Sequence, residues 1–365
     1  MSGHGVICGG CYLVDRTKLI SHWPEEETLA VIFEETQQGG GPGMNLGVNL
    51  KRLGAAFPVI AMGLVGDDAE GRYVREVLTR HGVDDAHLGV AETARTSYTD
   101  AMTNRTNGKR TFFHSQGANA LLGPEHFPLE RTDAAFLHLG APGIHDSMDA
   151  MDAGDAGDAG AGDGPDHGPD HRPDHGTDGG ENGWVKVLKK GRALGMWTNM
   201  ECISLPAEEL SRLTRPCLPY LDSIVINDFE AGALAGVKTV EGGKTKVEAV
   251  KEAVARLLSM GVKKLAAAHF PLGCVIARPG AAPVFSPSVD VPPGAVVSSV
   301  GAGDAFASGL LFGLLNAWPI ERAVPLAHAC AASCLLSFST NEAIGTAEEC
   351  LALAEKWGFR RTDGS

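Results

Sequence analysis

Short apolar runs alternate along this chain with longer segments in which apolar residues recur every three or four positions. That is the rhythm of buried strands alternating with amphipathic helices in a layered α/β fold. Residues 6–8 read as a first strand, and 43–54 as a helix with Leu46, Leu50 and Leu53 on one face. Residues 58–62 read as a strand, followed by a Gly- and Asp-bearing turn over 63–68 and a helix over 69–81. Further buried strands are expected at 134–139, 193–198, 223–226 and 264–268, each ending near a Gly, His, Asn or acid. In open α/β sheets ligands gather at such carboxyl ends. Two stretches, 16–38 and 94–117, alternate (Leu29, Val31, Phe33; Thr111 to His114) without intervening helices. They predict antiparallel strands of a small sheet laid over the site, a lid that would exclude water.

Composition changes this picture in one place. Residues 149–183 pass from Ala-Gly-Asp units into Pro-Asp-His units, with no aromatic or branched apolar residue. Such a segment cannot bury enough surface to fold, so it is expected to be a disordered, dispensable insertion. Its nine Asp, with Glu181 against Arg172, hold most of the chain's formal net charge of -14. His167, His171 and His175, spaced by four with Asp between, suggest at most weak metal binding. The remaining residues are only mildly acidic and carry no basic stripe, which argues against a nucleic-acid surface. No apolar run approaches a membrane span, and no basic region followed by an apolar segment opens the chain. The expectation is a single domain over 1–365 in the cytoplasm, with no membrane partner. The eight cysteines then read as reduced thiols, and Cys8-Gly9-Gly10-Cys11 as small buried residues beside a pocket, with no second C-x-x-C to complete a zinc site.

The chemistry is concentrated at Val300-Gly301-Ala302-Gly303-Asp304-Ala305-Phe306, which opens a long apolar stretch. Glycines there turn the backbone where a Cβ would clash, and the N–H groups of the first helical turn converge at the positive end of the helix dipole. Asp304 beside such an anion hole makes sense as the group that takes a proton from a hydroxyl attacking a phosphate. The plainer alternative is an N-cap Asp after a glycine turn. A second glycine-rich loop, 39–43, also precedes a helix, but no lysine follows it in the P-loop manner. Gly243-Lys244-Thr245 lacks the earlier glycine of a P-loop, since position 238 is Lys. Phe306 occupies the third glycine position of a dinucleotide-binding fingerprint, which disfavours a dehydrogenase.

Taken together, these pieces resemble a family. The Gly40-Gly41-Pro42-Gly43-Met44-Asn45 loop with its helix is similar to the first signature of the PfkB/ribokinase-type sugar kinases, and residues 300–309 resemble the second. Gly66-Asp67-Asp68, Gly71, Gly82-Val83-Asp84, Gly117-Ala118-Asn119 and Asn227-Asp228-Phe229-Glu230 resemble the elements between them, in the same order. The resemblance implies a three-layer ribokinase-like α/β/α sandwich with a β-sheet lid, and ATP-dependent phosphorylation of a hydroxyl on a sugar or sugar acid. It implies Asp304 as general base and Gly301, Ala302 and Gly303 as the anion hole. Asn227 and Glu230 would hold Mg²⁺, through water, beside the nucleotide phosphates, with Gly273 and His328 on the nucleotide side. Asp15, Gly40, Gly41 and Asn45 would bind the acceptor, and a homodimer would form through the lid.

Alternatives remain open on the residues alone. Asp15 also reads as a surface turn residue, Asn227 and Glu230 as a helix cap, and His328 as a core histidine. Arg95, Arg105 and Arg110 near the lid would suit a substrate carboxylate. Ser298-Ser299-Val300 stands where the family commonly has Asp-Thr, which leaves a monovalent-cation requirement open. A nucleoside kinase, or a non-catalytic sugar- or nucleotide-binding regulator on the same fold, are the competing functions.

Overall fold

Nine strands form one sheet in the order β15-β14-β13-β10-β9-β8-β1-β4-β5 in the computed structural model, which describes residues 5–107, 109–152 and 180–361. They are β1 (Val6–Gly10), β4 (Val59–Gly66), β5 (Leu88–Ala91), β8 (Phe136–Gly140), β9 (Trp197–Glu201), β10 (Ser223–Asn227), β13 (Leu265–Phe270), β14 (Gly273–Ala277) and β15 (Val284–Pro287). From β13 to β5 every pairing is parallel, and β14 and β15 close one edge antiparallel. Side chains alternate between the faces of a strand, so a sheet covered on both sides is apolar at every position. All five residues of β1 are buried, with Val6 and Cys8 in one core and Ile7 in the other.

The first core is closed by α1 (Pro42–Arg52), α2 (Ala69–Arg80), α8 (Ala302–Leu315), α9 (Ile320–Cys334) and α10 (Ala347–Trp357). The second is closed by α4 (Gly183–Ala193), α5 (Ala207–Thr214), α6 (Asp228–Ala235) and α7 (Val247–Ser259). Helix, sheet and helix make three layers. Among the described residues no helix is long and apolar enough to cross a membrane.

A separate four-stranded sheet, ordered β3-β2-β6-β7, is built from β2 (Leu13–Ile20), β3 (Ile32–Gly40), β6 (Tyr98–Asn104) and β7 (Arg110–Ser115). The two hairpin pairings are antiparallel as the alternation predicts, but β2 and β6 run parallel. The reason is topological: β4 and α2, which lie between the hairpins in sequence, carry the chain through the main sheet and return it in the same sense.

Two other expectations shift, and one rejected motif finds its place. The strand expected over 193–198 begins only at Trp197, because Ala193 still closes α4 and Gly195, at φ 77°, makes the left-handed turn that ends the helix. The Gly243-Lys244-Thr245 match lies in a hairpin between β11 (Val240–Glu241) and β12 (Lys244–Thr245), with Gly242 and Gly243 both at positive φ. The borders of the insertion belong to the fold. Asp149 ends the short α3 (Asp146–Asp149) and accepts the indole N–H of buried Trp184 at 2.7 Å. Met151 bridges to Asn182, whose side chain caps α4. A buried indole N–H needs an acceptor, which explains why the acidic run begins with a structural Asp. Residues 153–179 of the expected insertion, with its three histidines, lie outside the described residues.

Candidate active site

Parallel strands in register deliver their carboxyl ends to one edge, which places Gly10, Gly140, Glu201 and Asn227 along a common line. Helix α8 starts against this edge. Its N-cap is Gly301, in the left-handed region at φ 78°, and no side chain caps the first turn. A Cβ on Gly301 would lie 2.7 Å from Thr340 Cβ, so both conformation and space require glycine. Asp304 therefore lies inside the first turn and is not the N-cap, contrary to the plainer alternative. Its carboxyl accepts a 2.5 Å hydrogen bond from Asn45 Nδ2 on α1, while Asn45 Oδ1 accepts from Thr340 Oγ1 at 3.0 Å. Asn45 is thereby oriented from both ends.

A second carboxyl touches Asp304. Glu201, the last residue of β9, is buried and hydrogen-bonded to it. Burial raises both, and Asp304 is partly relieved by the hydrogen bonds from Glu201 and Asn45, whereas Glu201 rises well above the usual carboxylate range.

Asn227 and Glu230 form the reciprocal cap of α6, with Glu230 N–H donating to Asn227 Oδ1 at 2.8 Å and Asn227 N–H to Glu230 Oε2 at 3.0 Å. The capping alternative is thus realised, yet the Glu230 carboxyl also belongs to the site. Burial, with the negative charges of Asp304 and Asp228, raises it to about 7 despite the cap. Every charge acting on Glu201 and Glu230 is negative, which is what a bound divalent cation would relieve. Among the described residues no three His, Cys, Asp or Glu side chains are arranged to cage a metal alone. That donor set suits Mg²⁺, which keeps waters and shares phosphate oxygens.

On the other side of Asp304 stands Asp15, within β2 of the small sheet and not in a surface turn. Burial and the Asp304 charge raise its carboxyl to about 7, against a lowering hydrogen bond from Thr99. The carboxyl lies directly over the Cα of Gly40, where any Cβ would collide with Oδ2. Gly41, at φ 94°, comes so close to the Cys11 carbonyl that a Cβ would sit 2.5 Å from its oxygen. Both glycines are explained by close approach. Cys8 and Cys11 are buried free thiols pushed up by burial, and Cys11 Sγ accepts from Asn119 Nδ2 at 3.1 Å.

Beyond α8 opens a cavity of about 470 Å³ lined by Asn227, His269, Gly273, Phe306 and His328 among others, mostly apolar, with Ala302 and Gly303 at its inner end. Gly273 and His328 thus share one cavity wall. The His328 ring stacks edge-on against Phe306 and lies 3.4 Å from Cys274 Sγ. His269, the residue after the expected strand, packs against Phe306 and beneath Gly303.

The three lid arginines separate. Arg105 covers the Phe33 ring at 4.8 Å, and Arg95 lies near Asp68. Arg110 alone reaches the glycine turn, donating to Ser298 Oγ at 3.1 Å, with burial lowering its pKa.

Asp304, Gly301, Ala302, Gly303, Asn45, Asn227, Glu230, Asp15, Gly40 and Gly41 come together from separate parts of the chain around one cleft. Sequence reasoning missed Glu201 and Thr340. A signal for Glu201 existed, an acid closing a strand, but the strand was expected to stop at Thr198.

The sequence pattern of the pfkB family carbohydrate kinases matches residues 11–156 and 188–347. The chain is 26% identical over 330 residues to an ATP-dependent ribose-1-phosphate kinase of Halopiger xanaduensis, with 90% of each covered. It is 37% identical over 57 residues to a 5-dehydro-2-deoxygluconokinase of Geobacillus thermodenitrificans, a match spanning 17% of that relative's length. Among solved structures, the Arabidopsis thaliana ribokinase complexed with ribose and ATP superposes with a TM-score of 0.73 at 19% identity, covering 97% of this chain and 99% of that one.

Proposed function

Because the chain belongs to the pfkB family of carbohydrate kinases, we propose that it transfers the γ-phosphoryl group of ATP to a hydroxyl of a sugar or sugar acid. The observation that carries this reading is the placement of Asp304. It stands at an uncapped helix start, between a cavity of nucleotide size on one side and Asp15 on the other.

In this mechanism Asp15 accepts hydrogen bonds from acceptor hydroxyls in the space left by Gly40. Asp304, held by Asn45, removes the proton of the attacking hydroxyl. The backbone N–H groups of Gly301, Ala302 and Gly303 take the charge that spreads over the moving phosphoryl group, the term that dominates such transfers. Asn227 and Glu230 would hold Mg²⁺ through its waters, and the ion would supply charge neutralisation between the phosphates. Gly273 and His328 line the space for the base. Arg110, pointing from the lid at the glycine turn, reaches an anionic group of either substrate, and so favours an acidic acceptor.

The test is ADP release from Mg-ATP across ketoses, aldoses, sugar acids, sugar phosphates and nucleosides. Turnover on a nucleoside alone would overturn the acceptor class, and nucleotide binding with no turnover on any of them would favour a non-catalytic role.

Asp15 gives a sharper expectation. Asp15→Asn should raise the acceptor KM roughly 10–100-fold, the worth of a hydrogen bond to a charged group, while the ATP KM stays put. An acid raised to about 7 must lose its proton to accept those bonds, so its contribution is present above that value and lost as pH falls through it. Acceptor kcat/KM of the wild type should therefore climb through neutral pH, and a flat profile there would count against an ionised Asp15.

The face of the small sheet opposite Asp15 exposes Phe113, stacked on Trp23 at 5.9 Å between centroids, with Phe33 also half exposed. A second copy pairing there would cover them. Phe113→Asp is then expected to yield a monomer by light scattering where the wild type is a dimer; a monomeric wild type would remove the interface.

A further inference from the structure

The cavity beyond α8 has an outer wall to which the proposed mechanism gives no role. A row of rings leads to it from the glycine turn. His269 lies beneath Gly303, and its ring centroid is 5.2 Å from that of Phe306. Phe306 is 5.2 Å from His328, and His328 is 6.3 Å from Phe359. Burial keeps both imidazoles neutral, each with its pKa lowered to about 4, so the row offers flat surface and no charge. It begins under the anion-binding turn and ends in the C-terminal segment.

That segment is tied to the cavity by its backbone. Gly358, in the left-handed region at φ 74°, turns the chain out of α10. Phe359 then bridges antiparallel to Val289, Arg360 N–H donates to the Ser288 carbonyl at 2.8 Å, and Asp290 N–H donates to the Gly358 carbonyl at 2.9 Å. These bonds set Arg360 on the cavity wall, where among the described residues it is the one Lys or Arg. Its Nε donates to Ser288 Oγ at 3.1 Å, and Ser288 Oγ donates to the Pro271 carbonyl at 2.9 Å, in the turn between β13 and β14. One edge of the guanidinium is thereby fixed to the wall.

Its other donors are poorly used. Nη1 lies 3.6 Å from Asp290 Oδ1, but that carboxylate is 60% exposed, and such a pair contributes little in water. Nη2 meets no acceptor among the described residues. A guanidinium carries only donors, in a rigid plane, so its free edge suits a ligand that presents acceptors. Phosphates at the start of α8 would lay a nucleoside along the ring row, with its base towards Phe359.

We propose that Arg360 is a nucleotide-binding residue, donating from its free edge to an acceptor atom of the base and closing the outer end of the cavity. The C-terminal segment is then part of the nucleotide site, although it lies beyond residue 347, where the family pattern ends. This inference rests on the cavity being the ATP site.

The test is calorimetric binding of ADP to the wild type, Arg360→Ala, Arg360→Lys, Asp290→Asn and Ala331→Trp, with a melting curve for each. Arg360→Ala should raise the ADP Kd roughly 10-fold or more, the worth of a hydrogen bond from a charged group. Arg360→Lys keeps the charge but cannot hold Ser288 and the base together, so it should stay nearer to the alanine variant. Asp290→Asn loosens the segment and leaves the guanidinium, so its Kd should remain within about twofold of wild type. Ala331 lines the same cavity, and a tryptophan there should abolish binding; Ala331→Phe serves if that variant does not fold. Wild-type affinity in Arg360→Ala or Arg360→Lys, or an equal loss in Asp290→Asn, overturns the role of Arg360. ADP binding that survives the filled cavity, or no ADP binding by the wild type, would instead overturn the cavity as the ATP site, so the two failures are distinct.

Discussion

Asp304→Asn should lower kcat by roughly 10²–10⁴-fold, the usual worth of a general base, while the protein still folds and binds nucleotide. The substitution is nearly isosteric, and the amide can still meet Asn45 and Glu201, so the packing of α8 is kept. It removes the ability to accept a proton from the attacking hydroxyl. It also removes a negative charge from a cluster in which Asp15, Glu201 and Glu230 are all raised by Asp304. Mg²⁺-free thermal stability should consequently not fall, and a small rise is expected. Steady-state turnover with the best acceptor from the panel, beside a melting curve, checks both halves. Wild-type turnover would end the assignment.

The second large effect is expected from Gly301→Ala. At φ 78° a non-glycine residue costs about 1–2 kcal/mol, and the new methyl would press on Thr340 at 2.7 Å. Thr340 holds Asn45 Oδ1, and Asn45 holds Asp304, so strain at the turn is passed to the base as well as to the anion-binding N–H groups. A displaced oxyanion donor costs roughly 10²–10³-fold in kcat. Stability should drop by only about 1–3 kcal/mol, since the strain is local. Urea unfolding and single-turnover kinetics on the same preparation separate the effects. A variant destabilised as expected but with unchanged kcat would show that the glycine serves the turn alone.

The layered α/β architecture, the two glycine loops and Asp304 were legible in the sequence because each rests on local rules. Period and length distinguish strand from helix, and a glycine before an apolar helix marks a turn that a Cβ would block. The first strand and α1 were placed within a residue or two for that reason. Strand β9 was displaced towards its N-terminus because Ala193 and Leu194 continue the apolar pattern of α4, and periodicity gives no signal where a helix stops at Gly195. That displacement hid Glu201.

Pairwise relations were of a different kind. The parallel meeting of β2 and β6, Thr340 filling the space over Gly301, and His138 behind Glu201 join residues far apart in the chain. Local pattern carries no information about such partners. The roles of Asn227 and Glu230 show the same division. Their spacing announces a helix cap, which is local hydrogen bonding, and the cap is present. That the cap stands among buried carboxyls is decided only when parallel strands bring their carboxyl ends to one edge. The chain by itself determined which residue types were available for phosphoryl transfer and on which elements they ride. Tertiary structure decided which of them meet, which carboxyls are buried together, and which arginine faces the turn, because desolvation and contact depend on neighbours in space.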